Sequence, residues 1–492
     1  MSGNITLFYG AAINPQTLTS YDVLPRCLLA VGHTGNIDWM VEDVAPHDLQ
    51  QVLAQHGSSD EYLVELKDGE FLLPGFVDTH THAPQVPNIG TGQQYELLDW
   101  LANVTFPTES KFQDVDFAKR MYKKVVRTFI DAGTTTCCYY ATLHLEASKV
   151  LADTVHEYGQ RGFIGKCNMN HDSPSYYIEP SVSASISATQ SLIAYIRSLS
   201  RASSPNAALG TPQPLVQPIL TPRFAISCTA SLLSSLGDLA AEDPDLLIQT
   251  HIAENPSEVA YTKKLFPEAG SYAGVYDQFG LLRRGTILAH AVHLTPPEIT
   301  LIKEKGVGIS HCPTSNFNLR SGIAPVGKFL DEGVRLGLGT DVSGGFGTSI
   351  MGEVRNASVA SKVLQFTKET SGGGAAEESK HKFENKQLPI PTLLYLATLG
   401  GASLCRLESH IGSFAPGKSF DALLISPAGK QIGMWGSGES LHSRPKDNEQ
   451  EVAKKEINEW LERFLFVGDD RNIDRVYVQG RWVGGRSFTG FQ

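Results

Sequence analysis

The chain has 492 residues, 41% of them hydrophobic and 19% charged, the proportions of an ordinary globular protein with a large core. Its 41 Lys and Arg against 52 Asp and Glu leave a net charge of −11, which argues against a general binder of nucleic acid or anionic membrane. No apolar run reaches the roughly 18 residues of a membrane span and the first residues lack a secretory leader's pattern, while seven cysteines without a CxxC pair exclude a Cys-rich zinc module and fit a reduced, cytoplasmic setting.

Residues 1–71 read as short strands and turns, in ITLFYGAAI, CLLAVGHTGNIDWM and EYLVELKDGEFLLP. Residues 412–492 read the same way, in SFDALLIS and DRVYVQGRWVGG. Two β-rich ends around a different middle predict a small β-sandwich domain assembled from both chain termini. The middle, 72–411, alternates short apolar runs with helical periodicity and ends in helices. Its strand candidates are LLPGFVDTHTH (72–82), TTTCCYYAT (134–142), GFIGKCNM (162–169), LVQPILTPR (215–223), LLIQTHIAE (246–254), TILAHAVHL (286–294), VGISHCP (307–313) and VRLGLGTD (334–341). Amphipathic segments such as VDFAKRMYKKVVRTFIDAG and PPEITLIKEKG stand between them. Alternating strand and helix implies a parallel sheet, and this many repeats implies a closed α/β barrel of the (β/α)8 type. The competing open, doubly wound sheet lacks its glycine-rich phosphate turn after the first strand. Three stretches, 202–214, 370–386 and 437–456, are polar or rich in Gly, Pro and Ser and read as surface insertions.

Fifteen histidines make an HxH pair weak evidence by itself. Position gives the pair its weight. His80 and His82 end the first barrel strand, where a spacing of two puts both imidazoles, with Asp78, on one face. His251 closes the fifth strand, His290 lies on the sixth and Asp341 ends the eighth. A barrel gathers the C-terminal ends of its strands on one rim, so these groups converge. Singly, each reads as a hydrogen-bonded core residue. Together, imidazoles and a carboxylate around an open coordination position suit a catalytic Zn²⁺ or Fe²⁺.

These motifs resemble the amidohydrolase superfamily of metal-dependent barrels. The stretches PGFVDTHTHAPQ (74–85), LLDWLANVTFPTE (97–109), TPRFAISC (221–228), HIAEN (251–255), LAHAVHL (288–294), HCPTSN (311–316) and GLGTDVSGG (337–345) resemble its guanine-deaminating branch. HAPQ and TPRF are what narrow the resemblance to guanine. It implies His80, His82, His251 and Asp341 as ligands of one Zn²⁺ per chain, with Fe²⁺ as the alternative metal. Two-metal members carry a carboxylated lysine on the fourth strand, and LVQPILTPR has none. Glu254 would be the proton shuttle, Asp341 the acceptor of a second proton, and His290 a further polar group at the reacting centre. Gln85, Arg223 and Phe224 would form the purine pocket, with His290 and Trp100 beside them. The implied activity is hydrolysis of guanine to xanthine and ammonia by a cytoplasmic homodimer that binds neither nucleic acid nor membrane.

The residue chemistry agrees with that reading. Glu254 follows His251 by three residues, within reach of a water proton. Arg223 offers a fixed donor fork and Gln85 both donor and acceptor, which suits a polar purine. Phe224 either covers a ring face or packs, and Trp100 either roofs the site or packs a helix. His311 reads as a bracing group or a substrate contact, and Cys312 as a packing thiol. Two other functions compete. One is deamination or dechlorination of a different nitrogen heterocycle on the same scaffold. The other is a catalytically silent barrel used for binding, which loss of a ligand or of Glu254 would have indicated.

Overall fold

The computed structural model describes residues 5–202, 214–370, 381–427 and 449–490. The strands are, in order, β1 (Thr6–Thr17), β2 (Ser20–Val31), β3 (Ile37–Val41), β4 (Leu63–Glu65) and β5 (Phe71–Pro74), then β6 (Phe76–His82), β7 (Thr134–Tyr140), β8 (Arg161–Gly165), β9 (Cys167–Asn168) and β10 (Val216–Pro222). They continue with β11 (Leu247–Ile252), β12 (Thr286–His290), β13 (Gly308–His311), β14 (Arg335–Leu338), β15 (Ala422–Ile425), β16 (Ile473–Val478) and β17 (Arg481–Gly484).

Both chain ends build one mixed sheet, in the order β17-β16-β15-β5-β1-β2-β3 with β4 beside β1. The ends are joined where β5 runs antiparallel to β15, Leu73 opposite Leu423. Phe8 on β1 packs its ring 4.6 Å from Phe420 and 5.3 Å from Tyr477. Alternating apolar residues from opposite ends of the sequence thus share one core.

The second sheet is the barrel, parallel throughout, in the order β6-β7-β8-β10-β11-β12-β13-β14 with β9 beside β10. It closes between β14 and β6. His82 N donates to Val342 O (3.1 Å), Asp341 N to His80 O (2.8 Å), and Thr79 Oγ1 to Leu338 O (2.8 Å). Every expected barrel strand is present, with two differences. Leu72, Leu73 and Pro74, read as the opening of the first barrel strand, belong to β5 and pair with β15. The chain changes sheets at Gly75, where an added Cβ would meet Thr135 Oγ1 at 2.1 Å, so the close approach requires glycine. The third strand breaks at Lys166, whose buried ammonium pairs with Glu179 and donates to Cys167 O at 3.0 Å.

Helices cover the barrel because their apolar residues recur every three or four positions. In Val115–Asp131 the buried side are Ala118, Tyr122, Val125, Val126, Phe129 and Ile130. Asp114 caps this helix, accepting from Asp116 N and Phe117 N at 2.9 and 3.1 Å.

Residues 203–213, 371–380 and 437–448 of the expected insertions lie outside the described residues. The end of the second one is packed: Asp331 accepts from the backbone of Lys382, Phe383 and Glu384, and Phe383 is buried. The end of the third is not a surface excursion but the start of the helix Glu449–Val467. Ala453, Ile457, Trp460, Leu461 and Phe464 form its buried stripe, and Phe464 meets Phe71 and Phe76 at 6.2 and 6.4 Å. All seven cysteines are buried and free. Among the described residues no helix is long and apolar enough to cross a membrane.

Candidate active site

The strand-end residues singled out for chemistry are all buried at one rim of the barrel. Four backbone positions there are left-handed without being glycine: Ala253 (φ 48°), His290 (φ 75°), Ala291 (φ 55°) and Asp341 (φ 43°). Such conformations cost on the order of 1–3 kcal/mol each and persist where surrounding structure enforces them.

His80 Nε2 lies 2.9 Å from Asp341 Oδ1, and His82 Nε2 lies 3.3 Å from the same oxygen. His82 Nε2 is also 3.1 Å from His251 Nε2. One ligand atom from each of His80, His251, His290 and Asp341 falls within 4.8 Å of the others. That foursome includes His290 where the sequence reading had His82, so distance alone leaves five groups for four places. His290 has neighbours on both sides of its ring. Its Nδ1 faces Asn316 Oδ1 at 2.9 Å, and its Nε2 faces Glu254 Oε2 at 3.4 Å and Asp341 Oδ2 at 3.6 Å.

The donor set fits one divalent metal. His251 Nδ1 is 2.5 Å from Arg223 O; a carbonyl only accepts, so Nδ1 carries the hydrogen and the Nε2 lone pair faces His82. Burial pushes the imidazoles of His80, His82 and His251 down, His82 to about 4. Neutral imidazoles turned toward one another around a carboxylate form the ligand chemistry of Zn²⁺ or a similar cation.

The two carboxyls diverge. Burial, with Asp341 and Glu258 nearby, pushes Glu254 well above the usual range. Burial acts on Asp341 too, but the imidazoles of His80 and His290 outweigh it and hold that carboxyl well below. Neighbouring acids with opposed shifts are a mark of acid–base chemistry.

The cluster opens into a pocket of about 360 Å³ of empty space, in the range of small-molecule sites. His82, His251, Glu254 and Asp341 line one side; Gln85, Arg223, Phe224, Trp100, Leu97, Leu101 and Leu319 line the rest. Phe224 and Trp100 both line this pocket and belong to one apolar cluster, so both pack. Arg223 is not a free donor fork. Its Nη1 and Nη2 donate to Glu109 Oε2 and Oε1 at 2.7 and 3.1 Å, and its Cζ lies 5.2 Å from the Phe106 ring centroid. Glu109 is the residue that sequence reasoning missed, although it ends the quoted stretch LLDWLANVTFPTE.

Other singled-out groups lie apart from the cluster. Asp78 accepts from His80 N, Thr340 N and Thr340 Oγ1 at 3.1, 3.1 and 2.6 Å, tying β6 to the segment that carries Asp341. His311 faces a separate cavity of about 270 Å³. Among the described residues neither of its ring nitrogens has a hydrogen-bond partner, and burial pushes it down to about 3. Cys312 is fully buried.

Barrel and site together define the class: the chain belongs to the amidohydrolase family, whose model matches residues 71–483. It is 40% identical over 487 residues to a guanine deaminase of Dictyostelium discoideum, covering 97% of this chain and 98% of that one. It is 36% identical over 483 residues to a guanine deaminase of Homo sapiens, covering 97% and 96%. Among solved structures, a guanine deaminase of C. acetobutylicum with guanine bound in its active site superposes with a TM-score of 0.79 at 31% identity, covering 97% of this chain and 100% of that one.

Proposed function

We propose that the protein hydrolyses guanine to xanthine and ammonia, as a step of purine catabolism. The observation that carries this reading is one pocket that joins the His80–His82–His251–Asp341 cluster and Glu254 to a polar wall of Gln85 and Arg223. The full-length likeness to guanine deaminases supports it.

In this reading His80, His82, His251 and Asp341 hold a single Zn²⁺, and His290 stands outside the ligand set because its Nε2 is turned to Glu254. The metal, when bound, supplies Lewis-acid activation of water near neutral pH. Glu254 takes a proton from the attacking water and delivers it to a ring nitrogen as the water oxygen adds to the carbon bearing the amine. Asp341 accepts the second water proton, and the amine leaves as ammonia once protonated. His290, its Nδ1 held by Asn316, offers Nε2 to the water and the leaving group. Gln85 and Arg223 bind the purine edge, and Phe224 and Trp100 enclose its faces. Assembly as a homodimer in the cytosol, and the division into a terminal β domain and a barrel, with the first boundary moved from 71 to the end of β5 at Pro74, belong to the same reading.

The test is ammonia release by metal-replete protein from guanine, adenine, cytosine and guanosine side by side. Guanine should lead by about 10⁴ over adenine, whose amine would set donor against donor where the 6-oxo oxygen of guanine accepts. A better rate with adenine or the nucleoside would overturn the assignment.

A further inference from the structure

Glu109 is fully buried and does not line the pocket, yet it touches both polar residues that do. Its Oε1 accepts from Gln85 Nε2 at 2.7 Å and Arg223 Nη2 at 3.1 Å. Its Oε2 accepts from Arg223 Nη1 at 2.7 Å and from the Tyr177 hydroxyl at 2.6 Å. Four donors fill the roughly four lone-pair sites of a carboxylate. The Gln85 amide is fixed from its other end too, because Gln85 Oε1 accepts from Ser343 N at 3.0 Å.

Two consequences follow. A flipped Gln85 amide would set its oxygen against the Glu109 carboxylate and its NH2 against the Ser343 N–H. Only one orientation survives, so donor and acceptor reach the purine edge in a fixed order. Arg223, in turn, has its charge balanced at hydrogen-bond distance inside a buried site, where electrostatic interactions are strong. It keeps N–H groups to donate but presents no net positive charge.

We propose that Glu109 is the positioning residue for Gln85 and Arg223, and that by balancing Arg223 it makes the pocket select neutral bases over anionic ones. This rests on the purine-binding reading given above. A plain brace for the loop would hold the fold but would not set charge selectivity.

The test uses Glu109→Gln, which keeps the shape and an acceptor but removes the charge. KM for guanine should rise about tenfold, with a smaller change in kcat and unchanged metal content. Urate, a purine anion at neutral pH, should bind about tenfold more tightly than to wild type, measured by calorimetry without turnover. Glu109→Asp, which keeps the charge, should leave the urate affinity near the wild-type value. Equal weakening of guanine and urate, or no change in either, would overturn the proposal. If Glu109→Gln does not fold, the double variant Glu109→Met/Arg223→Met carries the test. It should bind guanine at least tenfold more weakly and gain nothing for urate; a guanine KM within twofold of wild type would overturn the proposal. A wild type that binds purines but does not release ammonia from guanine would defeat the proposed reaction and leave the binding test of Glu109 standing.

Discussion

Glu254 and Asp341 share a cavity wall, yet burial and neighbours drive their carboxyls in opposite directions. A raised acid suits repeated proton transfer, and an ionised one suits holding a cation. Glu254→Gln keeps the size of the side chain and removes the proton it would carry. Activity on guanine should fall by about 10⁴ while metal content stays at the wild-type level. Elemental analysis alongside an ammonia assay checks both halves, and near-normal turnover with metal intact would remove Glu254 from the mechanism. At this scale the strand-end histidines and Asp341 were legible because each sits in a short motif at the end of an apolar run. Glu109 was not, since its importance comes from an ion pair with a residue 114 positions away.

At the scale of elements, buried charges join parts of the chain that contribute to different sheets. Arg161 opens β8 of the barrel, and its Nε and Nη2 donate to Asp421, next to β15, at 3.0 and 3.3 Å. Both side chains are 1% exposed. Asp421→Ala would leave a buried guanidinium unpaired, which costs about 3–5 kcal/mol. Urea denaturation should show a loss of that size; a change below about 1 kcal/mol would mean the pair is idle. Glu353, on the helix Ile350–Thr370, accepts from Thr314 N and Oγ1 at 3.1 and 2.6 Å, joining that helix to Pro313–Asn318. Burial pushes its carboxyl from 4.5 up to about 8. A group that binds its proton more tightly when folded contributes fully below its unfolded value, and the contribution is lost as pH rises through the folded one. Relative to Glu353→Gln, wild type should therefore lose stability between about pH 4.5 and 8. Urea midpoints of both proteins across that window check the sign, and parallel curves would refute it. The helix Glu449–Val467 shows how such elements escape a linear reading. Its first residues are polar, and the buried stripe emerges only with Ala453, Ile457, Trp460, Leu461 and Phe464.

For the whole molecule, the rim cluster makes a definite statement about composition. Purified protein should carry about one metal per chain, and removal by a chelator should abolish ammonia release and lower the melting temperature. Both should return on adding Zn²⁺, because a ligand that binds only the folded state stabilises it. Two equivalents that each track activity would contradict a single site.

The sequence by itself determined the parallel barrel, the sheet built from both termini and the set of strand-end groups. These are encoded in local periodicity and in short motifs, which survive any arrangement of the loops. Tertiary structure alone decided that Leu72–Pro74 leave the barrel for the terminal sheet, that His290 turns toward Glu254, and that Arg223 is balanced by Glu109. Each depends on which segments the closed barrel brings within a few ångströms, and spacing along the chain carries no record of that.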